Sequence, residues 1–390
     1  MSVTAAQGFR AGSAAAGLAA RGGVDLTVVI NDGEVIPAAC VFTTNKAKAH
    51  PILWSQQVIA SGSARAVVLN AGGANCFTGP EGFALTHSSA ETLAGLLDNT
   101  GASEVLVCST GLIGEPLPAG AVIQGIERAV ALADKGEDAG IAASQAILTT
   151  DSQPKTSVVT MDVDGAEVII GGMAKGAGML APGLATMLVV ITTDAVLEAS
   201  QLDKALRDAT RVTFDRLDSD GAMSTNDQVT LMASGASGVT PDLKAFGDAL
   251  TSLCADLAQQ LLADAEGSSH DITITVTGAG SEDDAVAVGR AVARNNLFKA
   301  AMFGQDPNWG RVLAAIGTVD AEFDVYAVDV SMNGVRVCHA GAPDRPRSEV
   351  DLSARAIEVL IELNAGDHHA SIWTNDLTHA YVHENSAYSS

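Results

Sequence analysis

The chain has 390 residues, 47% of them hydrophobic, which is enough to bury a large core in two domains or one elaborate one. Lys and Arg total 22 against 46 Asp and Glu, so the formal net charge of −24 disfavours nucleic-acid binding, which relies on neutralising phosphates. The N-terminus has no secretory apolar stretch and no run reaches the roughly 18 apolar residues of a membrane helix, which predicts a soluble cytoplasmic protein with no membrane partner.

Short apolar runs bounded by turn residues alternate with helical patterns along the chain. Strands are predicted at residues 26–30, 66–69, 105–108, 168–170, 187–191, 272–276 and 325–330. Helices, with apolar residues at three-and-four spacing, are predicted at residues 90–97, 121–132, 243–265 and 284–293. This alternation predicts an α/β or mixed α+β fold.

Cysteine spacing argues against zinc, redox and thiol chemistry. The five cysteines are far apart in the sequence and form no C-x-x-C pair, which predicts buried free thiols. They are Cys40, Cys76, Cys108, Cys254 and Cys338.

Other familiar motifs are also incomplete. A Walker loop is disfavoured because Lys175 is followed by Gly176, and a Rossmann loop because TGAGSEDD (277–284) lacks the third glycine; an ordinary turn is predicted there instead. No serine lies in a G-x-S-x-G elbow, and His368 and His369 are predicted to lie in a solvated turn. No metal site is predicted.

The segment at residues 171–185 is rich in glycine and runs into an apolar strand pattern that begins at Thr186. If the bond after Ala185 is cleaved, Thr186 gains an α-amino group, whose ordinary pKa of about 7.7 to 8.0 suits a general base beside its own hydroxyl. That hydroxyl could make the cut by attacking the Ala185 carbonyl, with Pro182 and Gly183 supplying a strained turn. Buried strands also often begin with threonine, so this pattern alone leaves a purely structural role open.

Several uncommon blocks occur in one order along the chain. They are VLNAGGANCFTG (68–79), CSTGLIGE (108–115), TTDSQPK (149–155), MAKGAGMLAPGLATMLVVITTDA (173–195), TFDRLDSDGAMSTND (213–227), DPNWGRV (306–312) and DLTHAYVHENSAYSS (376–390). These blocks closely resemble those of the ornithine acetyltransferase family, also called the glutamate N-acetyltransferases. The resemblance spans nearly the entire chain.

The resemblance implies roles for individual residues. Thr186 would be the nucleophile exposed by cleavage after Ala185, and Thr110 and Gly111 would form the oxyanion hole. Charge alone suggests that Lys175 meets the α-carboxylate of the substrate and Glu266 the cationic side chain of ornithine. The substrate-binding positions implied by the family are Thr149, Lys175, Thr186, Glu266, Asn385 and Ser390.

Three positions depart from the family pattern. His270 stands where a lysine is usual, Gly73 replaces an asparagine, and Asn375 lies where cysteine is frequent. None coincides with the nucleophile or the oxyanion pair, so the departures affect substrate detail rather than the reaction.

The resemblance also implies a fold and a reaction. The fold would be a layered αββα sandwich of the N-terminal-nucleophile, DmpA-like type, with an α chain (1–185) and a β chain (186–390) assembled as a heterotetramer of two α and two β chains. The reaction would pass an acetyl group from N2-acetylornithine to glutamate through an acetyl-Thr186 ester, with no cofactor and no metal. Acetyl-CoA as a second donor stays open, as do an N-terminal-nucleophile aminopeptidase or amidohydrolase and a non-catalytic metabolite-binding protein.

Overall fold

The structure, a computed structural model, describes residues 2–181 and 187–387. The predicted site residues Ala185, Thr186 and Ser390, and the predicted turn residues Pro182 and Gly183, lie outside these ranges.

The described residues form fifteen strands and ten α-helices. The strands are β1 (Phe9–Ala14), β2 (Leu26–Asn31), β3 (Ala38–Phe42), β4 (Ala66–Ala71), β5 (Val105–Thr110), β6 (Lys155–Val163), β7 (Ala166–Lys175), β8 (Leu188–Thr193), β9 (Gln228–Ala233), β10 (Asp271–Ala279), β11 (Asp329–Met332), β12 (Val335–His339), β13 (Ala342–Pro343), β14 (Ala356–Glu362) and β15 (His368–Asn375). The helices are α1 (His50–Val58), α2 (Gly79–Gly95), α3 (Ala119–Ala131), α4 (Glu137–Ala146), α5 (Ala199–Val212), α6 (Leu243–Ala263), α7 (Glu282–Ala293), α8 (Asn296–Phe303), α9 (Trp309–Ile316) and α10 (His379–Ala387).

Two sheets lie at the centre of the fold. The first has the strand order β1-β2-β4-β5 and the second the order β3-β9-β8-β7-β6. In β8 the side chains of Leu188 and Val190 face the first sheet, whereas Val189 and Ile191 face helices α5 and α6. A strand whose alternate residues are apolar on both faces is buried on both sides, which explains its continuous hydrophobic run.

Helices cover the outer faces of both sheets. Helices α2 and α3 pack on the first sheet through residues such as Leu93 and Ile126, and α5 and α6 pack on the second through Leu206 and Leu257. The layers are therefore helix, sheet, sheet, helix, as an αββα sandwich requires. The predicted α/β class is confirmed.

A third sheet, with the order β13-β12-β11-β14-β10-β15, forms a separate core with α7, α8 and α9. The predicted turn before α7 is a helix cap, because Ser281 Oγ accepts a hydrogen bond from the Asp284 backbone N–H. Three acids in the first turn of α7 complement the helix dipole. The acidic run after the glycines therefore begins a helix and does not mark a phosphate site.

Two local predictions differ from the structure. The run predicted as a strand at 325–330 begins as a short 3₁₀ turn at Val325–Ala327, and the strand starts only at Asp329. The 3₁₀ turn forms because Asp324 caps it by accepting a hydrogen bond from the Tyr326 N–H. His368 and His369 are exposed, as predicted, but they begin β15 instead of lying in a turn.

Candidate active site

Three of the predicted site residues meet around one ammonium group. Thr110 ends β5 in the first sheet and Lys175 ends β7 in the second, so the facing sheets bring their last residues together. Lys175 Nζ donates to Thr110 Oγ1 at 3.2 Å and to Thr149 Oγ1 at 2.8 Å. Only 1% of Lys175 is exposed, so its charge is held inside the protein.

A chain of buried ion pairs supports this ammonium group. Asp151 Oδ2 lies 3.8 Å from Lys175 Nζ, and Asp151 Oδ1 lies 2.6 Å from Lys155 Nζ. Lys155 Nζ also lies 2.5 Å from Asp264 Oδ2. Buried charges persist only when they are paired and hydrogen-bonded, and this alternation of charges meets that condition.

The charged groups in this row of buried ion pairs shift one another's pKa values. Burial alone would raise the pKa of Asp151, but the charges of Lys175 and Lys155 outweigh it and hold that pKa well below its usual range. Burial lowers the pKa of Lys175, and Asp151 opposes the change. Asp151 thus favours the charged form of Lys175 against the effect of burial.

Gly111, directly after Thr110, is a position where only glycine fits. Its φ is +126°, and a Cβ there would lie 2.6 Å from the Gly73 backbone N and 2.7 Å from the Gly72 carbonyl carbon. The missing side chain lets the 72–73 loop approach closely, and the Gly72 N–H donates to the Thr110 carbonyl at 2.9 Å. The predicted oxyanion pair therefore lies in a tight, ordered turn.

The chain is anchored on both sides of residues 182–186. Before them, the Met179 N–H donates to Asp220 Oδ2 at 2.6 Å, and the Ser219 N–H donates to the Leu180 carbonyl at 2.5 Å. After them, the Met187 N–H donates to Asp227 Oδ1 at 2.9 Å. The two ends are thus fixed by backbone and side-chain hydrogen bonds to the segment that precedes β9.

Asp227 is one of two buried acids of the described chain that have an unpartnered carboxyl oxygen, and Asp218 is the other. Asp227 is fully buried, and its Oδ2 has no hydrogen-bond partner among the residues in the described ranges. Burial raises its pKa well above the usual value. A buried carboxyl oxygen without a partner is costly, so the position of Asp227 beside Met187 suggests a role at the end of the predicted cleavage segment.

A cavity of 260 Å³ is lined by one more of the predicted site residues, Glu266, and we name it the Glu266 cavity. Its lining residues are Ser219, Asp220, Glu266, Arg294, Asn296, Lys299, Asn375, Asp376, Leu377 and Tyr381. Asn385 Nδ2 donates to Glu266 Oε2 at 2.8 Å, which joins the C-terminal helix to the cavity.

The Glu266 cavity adjoins the glycine-rich segment that leads to the predicted cleavage site. The Glu266 N–H donates to the Ala177 carbonyl at 3.0 Å, and a Cβ on Gly178 would lie 2.5 Å from Glu266 Oε1. The loop must carry glycine at 178 for this carboxylate to occupy its position. The predicted binding residue and the predicted cleavage segment are therefore neighbours.

A sequence-family model described as the ArgJ family matches residues 10–390. The chain belongs to the ArgJ family. Similar proteins include the "Arginine biosynthesis bifunctional protein ArgJ" of Streptomyces coelicolor, 58% identical, and that of Thermobifida fusca, 56% identical, each over 100% of both chains. The predicted resemblance is confirmed, and the chain is an enzyme.

Solved structures of similar proteins include an ornithine acetyltransferase from Mycobacterium tuberculosis complexed with ornithine. It is 46% identical to this ArgJ family member, covers 48% of this chain and 96% of its own, and has a TM-score of 0.43. A second, the bifunctional ArgJ protein of Bacillus halodurans, is 33% identical, covers 51% of this chain and 98% of its own, and has a TM-score of 0.49.

The three departures from the ArgJ pattern have structural explanations. A Cβ at Gly73 would lie 2.7 Å from Leu117 Cδ2, so the neighbouring leucine occupies the space of a side chain. His270 does not line the Glu266 cavity; its Nδ1 lies 2.8 Å from Asp376 Oδ2. Asn375 does line it, and its Oδ1 accepts a hydrogen bond from Ser219 Oγ at 2.7 Å.

Sequence reasoning singled out no role for Asp151, Lys155, Asp227 or Lys299. The first three lie inside quoted family blocks, but no spacing rule shows that a charge is buried. Lys299 lines the Glu266 cavity and donates to Ser219, Thr374 and Asn375, and burial lowers its pKa to about 8.

All five cysteines are buried and free, and burial raises the pKa of each thiol, so none is a ready nucleophile. No cluster of three or more potential metal-ligating side chains occurs within residues 2–181 and 187–387. No helix in those ranges is long and apolar enough to span a membrane.

Proposed function

We propose that this ArgJ family member is a glutamate N-acetyltransferase that moves an acetyl group from N2-acetylornithine to L-glutamate in arginine biosynthesis in the cytoplasm. The observation that carries the proposal is the position of Lys175. It pairs directly with Leu188 across the β7–β8 ladder, and its ammonium group bonds Thr110 and Thr149. Because two residues of chain reach at most about 7 Å, a nucleophile at Thr186 is within reach of this cluster.

The proposed nucleophile is made by self-cleavage. The hydroxyl of Thr186 attacks the Ala185 carbonyl, the peptide nitrogen leaves as the new α-amine, and water hydrolyses the resulting ester. The anchors at Leu180 and Met187 support this step, because fixing both ends of a segment lowers the entropy that is lost when a reactive geometry forms. Asp227, which accepts a hydrogen bond from the Met187 N–H, would help to hold the new terminus.

In the transfer itself, the α-amine of Thr186 takes the hydroxyl proton while the oxygen attacks the acetyl carbonyl of acetylornithine. Thr110 and Gly111 donate hydrogen bonds to the developing oxyanion, and the amine returns the proton to the departing ornithine nitrogen. Glutamate then accepts the acetyl group from the ester by the reverse of these steps. This is ping-pong transfer, and it needs no cofactor.

Lys175 would serve two purposes in this scheme. Its bond to Thr110 Oγ1 fixes the orientation of that hydroxyl, so that the hydroxyl proton is free to point at an oxyanion. Its positive charge also favours the α-carboxylate that both amino-acid substrates carry. Thr149, bound to the same ammonium group, would take part in that contact.

The Glu266 cavity would hold the rest of the substrate. Glu266 would pair with the side-chain ammonium of ornithine. Asn385 would orient the Glu266 carboxylate through their 2.8 Å hydrogen bond. Ser390, outside the described residues, would also contact the substrate, as the family resemblance implies. Glutamate carries a carboxylate in place of that ammonium, and Lys299, a cavity-lining cation, offers it a partner.

The two chains would stay together after cleavage. Strands β7 and β8 fall on opposite sides of the cut but pair from Ile170↔Thr193 to Lys175↔Leu188, and β3 pairs with β9 in the same sheet. The sheet and its two apolar faces therefore hold the 1–185 and 186–390 chains together. We propose that they assemble as two α and two β chains, and that acetyl-CoA can also act as a donor.

A single-turnover experiment tests the transfer. Cleaved enzyme is mixed with N2-acetylornithine labelled in its acetyl group, first without glutamate and then with it. We expect one ornithine released per site with the label retained on the 186–390 chain, followed by its appearance in N-acetylglutamate. The variant Thr186→Ser, which keeps a hydroxyl, should retain some labelling, whereas Thr186→Ala should show none.

Two results of this experiment would contradict the proposal. Labelled acetate released to water, with no transfer to glutamate, would indicate an amidohydrolase. Tight binding of substrate by an uncleaved chain, without any release of ornithine, would indicate a metabolite-binding protein.

A further inference from the structure

The buried side chain of Asn226 joins the first sheet to the segment that precedes β9. Asn226 Nδ2 donates to the Ser109 carbonyl at 2.8 Å and to the Ala74 carbonyl at 2.6 Å. Ser109 directly precedes Thr110 in β5. The Ala74 N–H donates to the Leu112 carbonyl, just after the predicted oxyanion pair, at 2.9 Å. One amide group therefore contacts both the strand that leads into this pair and the loop that packs against it.

Strand β5 needs such a contact because it is the edge strand of the first sheet. Two residues before Ser109, a side chain takes the place of a neighbouring strand: Ser55 Oγ donates to the Val107 carbonyl at 2.9 Å and accepts from the Val107 N–H at 3.0 Å. Because a strand repeats every two residues, Ser109 presents its backbone on the same edge as Val107. Asn226 therefore continues the support of β5 up to its last turn of chain.

The amide group of Asn226 is held in one orientation. Thr225 Oγ1 donates to Asn226 Oδ1 at 2.5 Å, which turns Nδ2 toward the two carbonyls. The Asn226 N–H donates to Ser224 Oγ at 3.0 Å, and the Ser224 carbonyl accepts from Thr43 Oγ1 at 2.7 Å. Asn226 is only 4% exposed, so water competes little for these hydrogen bonds. The side chain is therefore a rigid link.

The next residues along the chain bind the other side of the candidate site. Asp227 Oδ1 accepts from the Met187 N–H at 2.9 Å, and the Gln228 N–H donates to the Met187 carbonyl at 3.2 Å. Consecutive Cα atoms are about 3.8 Å apart. The contacts of Asn226 to the first sheet and of Asp227 to Met187 therefore start from adjacent points of one backbone segment.

We propose that Asn226 is a positioning residue for acetyl transfer, which holds the oxyanion pair at a fixed distance from Met187 and so from the nucleophile that precedes it. This inference rests on the proposed function. Oxyanion donors act only when they lie within about 2.7 to 3.1 Å of the charged oxygen. A displacement of about 1 Å can lower a rate about 100-fold. Asn226 acts through these two elements without contacting the substrate, so its loss should lower kcat and leave KM nearly unchanged.

Asn31 provides a matched control, because it makes the same kind of link at the other end of β9. Asn31 Nδ2 donates to the Ala233 carbonyl at 2.8 Å and to the Val35 carbonyl at 3.2 Å. Asn31 ends β2 and Ala233 ends β9, so this buried link also joins the two central sheets. The two ends of a six-residue strand are about 16 Å apart, which places Asn31 away from the candidate site.

The test measures urea unfolding and acetylornithine–glutamate exchange in Asn226→Ala and Asn31→Ala, with kcat expressed per cleaved chain. Each substitution removes an amide that donates to two carbonyls, so the two urea midpoints should fall by similar amounts. Asn226→Ala should lower kcat about 100-fold with KM changed less than about twofold. Asn31→Ala should keep the kcat of the wild type.

A second variant, Asn226→Asp, keeps the size of the side chain and guards against an alanine variant that fails to fold. Asp retains an oxygen that can accept from Thr225 Oγ1, but it places a second oxygen where Nδ2 donates, so kcat should fall at least as far as in Asn226→Ala. Wild-type kcat in Asn226→Asp would overturn the role of the donor.

Equal kcat values in Asn226→Ala and Asn31→Ala would overturn the positioning role, and so would a rise in KM with kcat unchanged. The wild-type enzyme separates this inference from the proposed function. Wild-type protein without acetylornithine–glutamate exchange would refute the proposed acetyl transfer. Wild-type exchange that Asn226→Ala retains in full would refute the positioning role alone.

Discussion

Asp151 is the carboxylate on which the charge of Lys175 depends, and the variant Asp151→Asn tests that dependence. The side chains of Asp151, Lys155 and Lys175 are each no more than 1% exposed, and Asp151 is the one carboxylate within ion-pair distance of Lys175 in the described chain. Removing one member of a buried pair costs about 3 to 5 kcal/mol. Lys155 keeps Asp264, so we expect the lower end, about 3 kcal/mol, at neutral pH.

This cost should depend on pH in a defined direction. Burial lowers the pKa of Lys175, and without Asp151 that pKa falls further, so the destabilisation should shrink as pH rises and the amine becomes neutral. In the wild type, the pKa of Asp151 lies below its ordinary value of 3.8. The stabilising contribution of Asp151 is therefore fully present above pH 3.8. It is lost only as pH falls through the lower pKa that Asp151 has in the folded protein.

Urea unfolding at about pH 7 and about pH 9.5 measures both effects. Asp203→Asn is the matched control, because Asp203 pairs with Arg207 on the exposed face of α5. An exposed pair contributes less than about 1 kcal/mol, so the control should change little at either pH. A loss in Asp151→Asn no larger than in the control, or one that does not change with pH, would refute the dependence of Lys175 on Asp151.

Three further predictions concern the site. Gly111→Ala should lower kcat for acetyl transfer at least about 100-fold, because the new Cβ would lie 2.6 Å from a backbone atom. Gly114→Ala, which also has a positive φ but has open space around it, should retain activity. Equal losses in the two variants would contradict the role of close packing at Gly111. Asn385→Ala should raise KM for acetylornithine several-fold with kcat little changed, because Glu266 loses the 2.8 Å hydrogen bond from Asn385. A fall in kcat alone would argue against a substrate-binding role for Asn385. Burial lowers the pKa of Lys299 from its ordinary 10.5 to about 8 in the folded protein. The free energy of unfolding of the wild type, relative to that of Lys299→Met, should therefore rise by up to about 3 kcal/mol between pH 8 and pH 10.5. A difference that stays constant with pH in urea unfolding would contradict this.

The central layers of the fold could be predicted from the sequence because their strands are short continuous apolar runs. Strand β8 is predicted within two residues at each end, since no polar residue interrupts it before Thr192. The run at 325–330 misled the same reasoning, because Asp324 caps a 3₁₀ turn that an apolar pattern does not reveal. Local capping, which depends on one side chain, decides the structure there.

The residues of the candidate site were predicted through family resemblance. The burial of its charged side chains and the contacts between them were not predicted. Residues such as Thr110 and Lys175 could be named from sequence blocks, but the bond between them joins two different sheets. The roles of Asp151 and Asp227 follow from burial, which a single sequence does not give for a charged side chain.

The central claim is that the chain makes its own nucleophile at Thr186, and the most direct test is the denatured mass of the purified protein beside the variant Thr186→Ala. Dividing 39.6 kDa in proportion to residues 1–185 and 186–390 gives fragments of roughly 19 and 21 kDa for a cut at this bond. The account predicts both fragments in the wild type, the larger beginning with threonine, and a single full-length chain in the variant. Active wild-type protein that remains one uncut chain would contradict it, because no free α-amine would then exist to act as the base.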